Sequence, residues 1–428
     1  MRLLVAVSLC GSLLAAQGAQ DQGRLMAVTP LCNGKDLGGW HGRADIGPYK
    51  YAALTGDELT KRRAKDDTDT AAHWRVENGE IVNDGGGPFL TTDAEFGDAE
   101  FQLEYKTVAK ADSGIYLRGC PQVQIWDTTE AGGKWQLGAD KGSGALWNNE
   151  KHPRFPLVHA DKPFGEWNHL RIVMLGERVW VHCNGKLTVD GAVMENYWDR
   201  KRPLPAKGPL QLQTHGGEIR FRNLTVHEFA AEQANAMLAR IDAEGFTPLF
   251  DGKTFAGWRG DLDSYEIVDG AIRCRAGQGG NLFTEGIWQD CTVRLQFRLP
   301  PGGNNGLALR YPGKGNPANA GVEVQVLDDT HAKYAELKPW QYHGSVYGVV
   351  PSHRGYLRPV GEWNFEEVTV KGTRYTVVLN GTTIVDADVA TLSSNLEQHP
   401  GKDSREGHFG FCGHGDAVEF RAIAIKRL

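Results

Sequence analysis

The sequence predicts an all-β protein built from two tandem jelly-roll sandwiches, and two observations support this prediction. The 428 residues include 54 glycines and 12 tryptophans, a composition that favours many turns and aromatic-lined sheets over helices. The chain also contains an internal repeat that covers most of its length. Because single cores rarely grow beyond roughly 250–300 residues, a chain of this size is expected to divide into domains.

The amino terminus has the three-part pattern of a secretory signal peptide, predicted over residues 1–19. Met1 and Arg2 precede the apolar run Leu3–Ala16, and small residues follow it. This run is shorter than the ~18 residues that a membrane span requires. A secreted or periplasmic protein is therefore expected, without a membrane span once the signal is removed.

The repeat defines two domains. The segment Pro30–Trp40 recurs as Pro248–Trp258, and Gly165–Asn168 recurs unchanged as Gly361–Asn364. These and other matches keep the same order in both halves, which indicates a duplicated domain rather than a short repeat unit. The predicted boundaries are 27–229 for the first copy, 230–245 for a helical linker and 246–428 for the second copy. Residues 44–72 occur only in the first copy and are predicted to form a helical insert.

Alternating apolar and polar residues predict the strands of each copy. Clear examples are Phe101–Tyr105, Arg178–His182, Thr292–Phe297 and Tyr375–Leu379. Asn-Gly pairs at 184–185 and 380–381 predict hairpin turns, because both residue types tolerate positive φ. Antiparallel sheets follow, and at this domain size a two-sheet jelly roll is the expected arrangement.

The charge pattern restricts the expected partners. The formal net charge is −6, and no long run of one sign interrupts the sequence. This pattern does not predict binding to nucleic acid or to an anionic membrane surface. An uncharged ligand is therefore expected, whereas the sequence leaves the oligomeric state open.

Candidate site residues cluster on one strand of each copy. Strand alternation places the side chains of Gln122, Gln124 and Trp126 on one face, with Asp127 at the strand end. The matching residues of the second copy are Glu323, Gln325, Leu327 and Asp328. If this face is concave, these polar residues form the floor of a cleft.

Carboxylate pairs suit glycosidic chemistry, since one can protonate a leaving oxygen while the other acts as base or nucleophile. Glu323 and Asp328 could fill these roles in the second copy. The first copy has Gln122 in place of Glu323, and because Gln cannot ionise, a two-carboxylate mechanism on this strand fails there.

His215 and His414 occupy matching positions near a strand end. Each is a candidate acid or base near neutral pH, and each could equally be a structural histidine bonded to a loop carbonyl. Arg118 and Arg310 also match, and their guanidinium groups could hold ligand oxygens or form surface ion pairs.

Trp126, Trp147 and Tyr347 could stack on sugar rings, with core packing as the alternative. No cofactor is required by the sequence, and it leaves open whether the cleft holds a metal. Structural Ca²⁺ could bind acidic loops such as Asp328–Asp329, although no recognisable calcium-loop pattern supports it.

The chain resembles the 3-keto-disaccharide hydrolase domain family, once in each copy. The first copy carries the motifs Leu31–Leu37, Asp112–Gly119, Pro121–Asp127, Glu195–Arg200 and Gly208–Arg222. The second copy keeps Leu249–Lys253, Glu323–Asp328 and His414–Gly415 but lacks the Glu-Asn-Tyr-Trp block. The resemblance implies a concanavalin A-like jelly roll for each copy.

The resemblance also implies an activity, the cleavage of 3-keto-glycosides or 3-keto-disaccharides by hydrolysis or by C2 deprotonation and elimination at C1. The expected partner is an oligosaccharide or glycoside. Under this hypothesis His215 or Asp127 acts as the base, while Arg118 and Gln124 polarise the keto oxygen. The alternatives are a glycan-binding module without turnover, or one catalytic and one binding copy.

Overall fold

The computed structural model of the protein describes residues 28–44 and 46–428. Within them the chain forms four antiparallel sheets arranged as two β-sandwiches, which confirms the predicted fold class. The signal peptide predicted for residues 1–19 lies outside the described residues and stays a prediction. No helix among the described residues is long and apolar enough to cross a membrane.

The first sandwich contains strands β1–β13. Their bounds are β1 Thr29–Pro30, β2 Trp40–Arg43, β3 Trp74–Glu77, β4 Glu80–Asn83, β5 Phe89–Phe96, β6 Ala99–Thr107, β7 Asp112–Tyr116, β8 Gln122–Trp126, β9 Asn168–Leu175, β10 Arg178–Cys183, β11 Lys186–Val193, β12 Gly208–Leu212 and β13 Ile219–Glu228. One sheet has the order β11-β10-β9-β6-β13-β4-β3, with β1 also paired to β13. The other has the order β2-β5-β12-β7-β8. The second sheet ends on the strand pair that carries the site residues.

The second sandwich contains strands β14–β26. Their bounds are β14 Thr247–Pro248, β15 Trp258–Gly260, β16 Tyr265–Val268, β17 Ala271–Cys274, β18 Gly279–Thr284, β19 Cys291–Arg298, β20 Asn304–Tyr311, β21 Val322–Leu327, β22 Trp363–Lys371, β23 Arg374–Leu379, β24 Thr382–Asp388, β25 His408–His414 and β26 Glu419–Arg427. The sheet orders are β16-β17-β26-β19-β22-β23-β24, with β14 on β26, and β15-β18-β25-β20-β21. Strand for strand, this is the topology of the first copy.

The helices lie outside the sheets, and Gly56–His73, with 18 residues, is the longest among the described residues. The α-helices are α1 Pro48–Ala52, α2 Gly56–His73, α3 Ala231–Leu238 and α4 Pro317–Ala320. The 3₁₀ turns are Glu130–Gly132, Trp135–Leu137, Ala139–Lys141, Leu262–Ser264, Ala332–Tyr334, Pro339–Gln341, Val389–Thr391 and Pro400–Asp403. α1 and α2 fall in the segment present only in the first copy, and α3 follows the last strand of that copy.

Each core lies between the two sheets of its sandwich. In β6, Phe101, Leu103 and Tyr105 are buried, while Gln102 and Glu104 face away from the core, as the alternation predicts. Burial of one such large apolar side chain stabilises the fold by roughly 1.5–3 kcal/mol. The six cysteines of the described residues are free thiols, five of them buried.

The two sandwiches contact each other through α3 and a buried ion cluster. The Asn235 side chain donates to the Trp363 carbonyl at 2.9 Å. The carboxylate of Asp98 lies 3.5 Å from Arg118 of the first copy and 3.5 Å from Arg358 of the second. Because Arg118 is almost fully buried, this pairing compensates the cost of removing its charge from water.

Candidate functional site

The candidate site of the first copy begins on the face of β8 that points away from the core. Val123 and Ile125 pack in the core, so alternation places Gln122 and Gln124 on the opposite face. Opposite Gln124 in the neighbouring strand is Gly114. A Cβ atom there would lie 2.5 Å from Oε1 of Gln122, so this glycine leaves room for the buried amide.

A chain of hydrogen bonds runs along this face to a carboxylate. Nε2 of Gln122 donates to Oε1 of Gln124 at 2.6 Å, and Nε2 of Gln124 donates to Oδ1 of Asp112 at 2.7 Å. The other carboxylate oxygen of Asp112 accepts from Nδ1 of His215 at 2.9 Å and is also bonded to Nζ of Lys134. We call these five residues the Asp112 cluster.

The strand ends bring these side chains together. Asp112 is the first residue of β7, and its backbone N–H donates to the carbonyl of Gly216 at 2.9 Å, just after β12. His215, shortly after the end of β12 in sequence, therefore lies beside Asp112 in space. Lys134 comes from the loop after β8, next to the 3₁₀ turn Trp135–Leu137.

Exposure increases along the cluster. The side chain of Asp112 is 10% exposed, that of Lys134 26% and that of His215 63%. A carboxylate that accepts from Nδ1 fixes the tautomer of a neutral imidazole, which leaves Nε2 able to take a proton. The cluster therefore joins a buried anion to an accessible base and an adjacent cation.

The second copy has a different set of side chains in the same frame. Asn304 replaces Asp112, and its Oδ1 accepts from Nε2 of Gln325 at 2.7 Å. Glu323 replaces Gln122, and His414 is the counterpart of His215. The second copy therefore lacks the His–carboxylate pair of the first copy and has instead the buried carboxyl group of Glu323 on the neighbouring strand β21.

Glu323 is buried in a polar environment without a cation. The side chain is almost inaccessible, and its Oε1 has no hydrogen-bond partner. Burial raises the pKa of Glu323 to about 8. The carboxyl group is therefore protonated near neutral pH, so it is a hydrogen-bond donor rather than a resting base.

The structure shows that the carboxylates of Asp127 and Asp328 cap loop backbone, and their interpretation as site carboxylates stays a prediction. Oδ2 of Asp127 accepts from the backbone of Lys110 at 2.7 Å, and Oδ1 accepts from the backbone of Thr129 at 2.8 Å. Oδ2 of Asp328 accepts from the backbone of Gly302 at 2.7 Å. Their position at a strand end was predicted, but backbone N–H groups of loops donate hydrogen bonds to their carboxylate oxygens.

Burial opposes ionisation of Asp127, but hydrogen bonds from Thr129 and from the Lys110 backbone outweigh it and lower the pKa of Asp127. We expect Asp127→Ala to reduce the free energy of unfolding by about 2–3 kcal/mol, since charged hydrogen bonds to a buried carboxylate are lost. Denaturant unfolding checks this. Unchanged stability together with lost turnover would restore Asp127 as a candidate base.

Arg118 and Arg310 also lie away from the site, and backbone conformation is the reason. Their φ angles are 52° and 50°, in the left-handed region, where a side chain does not continue the alternation of the preceding strand residues. Arg118 donates to the Pro205 carbonyl at 3.1 Å and Arg310 to the Gly372 carbonyl at 2.7 Å. Both guanidinium groups are buried structural ties and are not available to a keto oxygen.

Gln124 has a positioning role rather than the predicted contact with substrate. Its Nε2 carries two hydrogens and already contacts the Asp112 carboxylate and the carbonyls of Ser113 and Ile125 within 3.1 Å. No amide hydrogen is left to polarise a ligand carbonyl. Gln124 therefore orients the carboxylate of Asp112.

The three aromatic candidates have different surroundings. Trp126 is 5% exposed and donates to the Gly142 carbonyl at 3.0 Å, so its ring packs within the protein. Trp147 is half-buried, with Arg154 over its ring at 5.0 Å. Tyr347 is also half-buried and lines a cavity in the second copy.

Sequence reasoning missed the roles of Asp112 and Lys134. Asp112 lies within a motif quoted above, but a strand-initial Asp gives no indication of its partner. Lys134 is in a loop whose path no periodic pattern predicts. Among residues 28–44 and 46–428, no group of three or more His, Cys, Asp or Glu side chains is placed to hold a metal ion.

Comparison with known proteins gives matches in both copies. The sequence profile of the 3-keto-alpha-glucoside-1,2-lyase-like domain matches residues 27–227 and 245–426. A Bacteroides thetaiotaomicron protein named 3-keto-disaccharide hydrolase is 28% identical over 243 residues, which cover 46% of this chain and 83% of that protein.

Solved structures are similar to single copies of the repeat. One, from Parabacteroides distasonis and provisionally described as a glycosyl hydrolase, is 23% identical, with a TM-score of 0.40 over 43% of this chain and 99% of its own. The Bacillus subtilis carbohydrate-binding module CBM66 is 16% identical, with a TM-score of 0.29 over 40% of this chain and 95% of its own.

Proposed function

The chain belongs to the 3-keto-alpha-glucoside-1,2-lyase-like domain family in both of its copies, and from this premise we propose that it cleaves 3-keto-glycosides at the site of the first copy. Membership and the relative named 3-keto-disaccharide hydrolase support a carbohydrate hydrolase-like function. The observation that carries the assignment to the first copy is the carboxylate of Asp112, which holds both His215 and Lys134.

The proposed chemistry starts from the acidity of the substrate. A ketone at C3 makes the proton on C2 acidic, because the electron pair left behind is delocalised onto the keto oxygen. Nε2 of His215 takes this proton, and the ammonium group of Lys134 stabilises the negative charge that develops on the oxygen. Asp112 orients the imidazole and balances the positive charge that it gains.

Bond cleavage then follows without a second carboxylate. The electron pair of the enolate forms a C1–C2 double bond, and the C1–O bond to the aglycone breaks. The departing oxygen receives a proton from the imidazolium of His215 or from water. Addition of water across C1 and C2 gives the free 3-keto sugar, so hydrolysis and elimination share the same first step.

The test compares a 3-keto-glucoside with its unoxidised parent, using the purified chain and following aglycone release. We expect release from the keto substrate alone, because only that substrate has an acidic C2 proton. Equal release from both substrates would contradict the proposal, since an ordinary glycosidase does not need the ketone. No release from either would contradict it as well.

A further inference from the structure

The second copy has a cavity of about 150 Å³, partly open to solvent, on the same face of its five-stranded sheet. The side chains that line it include Asn304, Glu323, Gln325, Gln341, Tyr347 and His414. At residue 306 a Cβ atom would lie 2.0 Å from Oε1 of Glu323, so the glycine there makes room for the acid. The backbone of β20 and the side chain of Glu323 on β21 thus shape the cavity together.

Glu323 is the unusual group in this cavity. It is 4% exposed, and its Oε1 has no partner among the described residues. Leaving a buried polar atom without a partner is energetically costly, and a bound ligand can offset that cost. The remaining polar lining consists of amides, two phenols and an exposed imidazole, and no Lys or Arg lines the cavity.

This chemistry selects an uncharged ligand rich in hydroxyl groups. An anion would meet a buried carboxyl group, and a cation would have to be desolvated beside an acid that burial keeps protonated near neutral pH. Amide groups and a neutral carboxyl group both donate and accept, as sugar hydroxyls do. The volume of about 150 Å³ is below the roughly 300–1,000 Å³ of drug-sized pockets, so about one sugar ring fits inside the cavity.

The second copy lacks the parts that the first copy uses for proton abstraction. Asn304 stands where Asp112 stands in the first copy, and it bonds to Gln325 at 2.7 Å. An amide cannot balance an imidazolium charge as a carboxylate does. The cavity therefore contains groups that can bind a sugar, but it lacks a histidine held by a carboxylate, which is the proposed base of the first copy.

We propose that the cavity beneath His414 is a separate site that binds one uncharged sugar ring without cleaving it. The supporting observation is the buried, unpartnered Glu323 beside a set of amide groups. The proposal does not depend on turnover in the first copy, so either can fail alone. Such a site would let the second copy hold one part of a glycan while the first copy acts on another part.

The experiment titrates methyl glucoside, methyl galactoside and methyl mannoside into the whole chain by calorimetry, with glucuronate and glucosamine as charged comparisons. At least one uncharged glycoside is expected to bind saturably, and the charged sugars more weakly. His414→Trp, a substitution of an exposed side chain at the cavity, is expected to reduce that affinity at least tenfold. The control variant His41→Trp, at a histidine of the first copy that lies outside both sites, is expected to leave it unchanged.

A pH series provides a second readout that does not require blocking the cavity. The other titratable groups around Glu323 are Cys412 beside it and Tyr334, Tyr347 and His414 in the cavity lining. Since Glu323 loses its proton above about pH 8, affinity of the wild type should fall there, whereas Glu323→Gln should retain it. The proposal is overturned if none of the three glycosides binds, if binding survives undiminished in His414→Trp, or if the bound glycoside is cleaved.

Discussion

Replacement of His215 by Ala is expected to lower kcat for 3-keto-glycoside cleavage by about 10³-fold, within the range for loss of a general base. The reason is geometric. Asp112 binds the imidazole through Nδ1 at 2.9 Å, and the side chain is 63% exposed, so Nε2 is the accessible proton acceptor of the Asp112 cluster. Steady-state kinetics with a 3-keto-glucoside measures the effect.

A second His–carboxylate pair in the same sandwich supplies the control. His41 lies on β2, at the edge of the five-stranded sheet opposite β8, and its Nδ1 is 2.7 Å from Oδ1 of Asp93 on the neighbouring β5. His41→Ala removes a similar surface pair and is expected to keep full activity. If His414→Ala abolished turnover while His215→Ala did not, the assignment to the first copy would be wrong.

Asp112→Asn is expected to reduce kcat by about 10³-fold as well, although the amide is nearly isosteric. The substitution removes the negative charge between Lys134 and His215, and an amide can present its N–H instead of an acceptor to the ring. The imidazolium formed on proton abstraction would then lack its counter-charge.

The second copy already contains this substitution in natural form, since Asn304 occupies the equivalent position. Asp93→Asn is the matched control, because it removes the carboxylate from the other His pair. Thermal unfolding should show both variants folded. Full activity in Asp112→Asn, with the unfolding transition unchanged, would show that the carboxylate does not support the base.

The fold could be predicted because its determinants are local or repeated. The alternation in Phe101–Tyr105 follows from strand geometry, and the matched motifs of the two copies follow from gene duplication. Both features can be read directly from a single sequence. The family prediction is confirmed for the same reason, since its motifs are contiguous segments.

The site was harder to predict because its contacts join distant segments. Lys134 reaches Asp112 from a loop of short 3₁₀ turns, and no sequence period indicates that path. Arg118 was predicted to reach a ligand from a strand end, but its backbone is left-handed and its buried guanidinium group donates to the Pro205 carbonyl. Asp127 was correctly placed at a strand end, but hydrogen bonds to the loop backbone give it another role.

The most direct test of the central claim is the fate of the C2 hydrogen when the 3-keto-glycoside is cleaved in D₂O. The proposal predicts that C2 loses its original hydrogen in every turnover, leaving either an unsaturated keto sugar or a hydrolysed product that carries deuterium at C2. Mass spectrometry and NMR at early times measure this, with the product incubated without enzyme as the control for spontaneous exchange. Complete cleavage with the original hydrogen still on C2 would contradict proton abstraction by the Asp112 cluster.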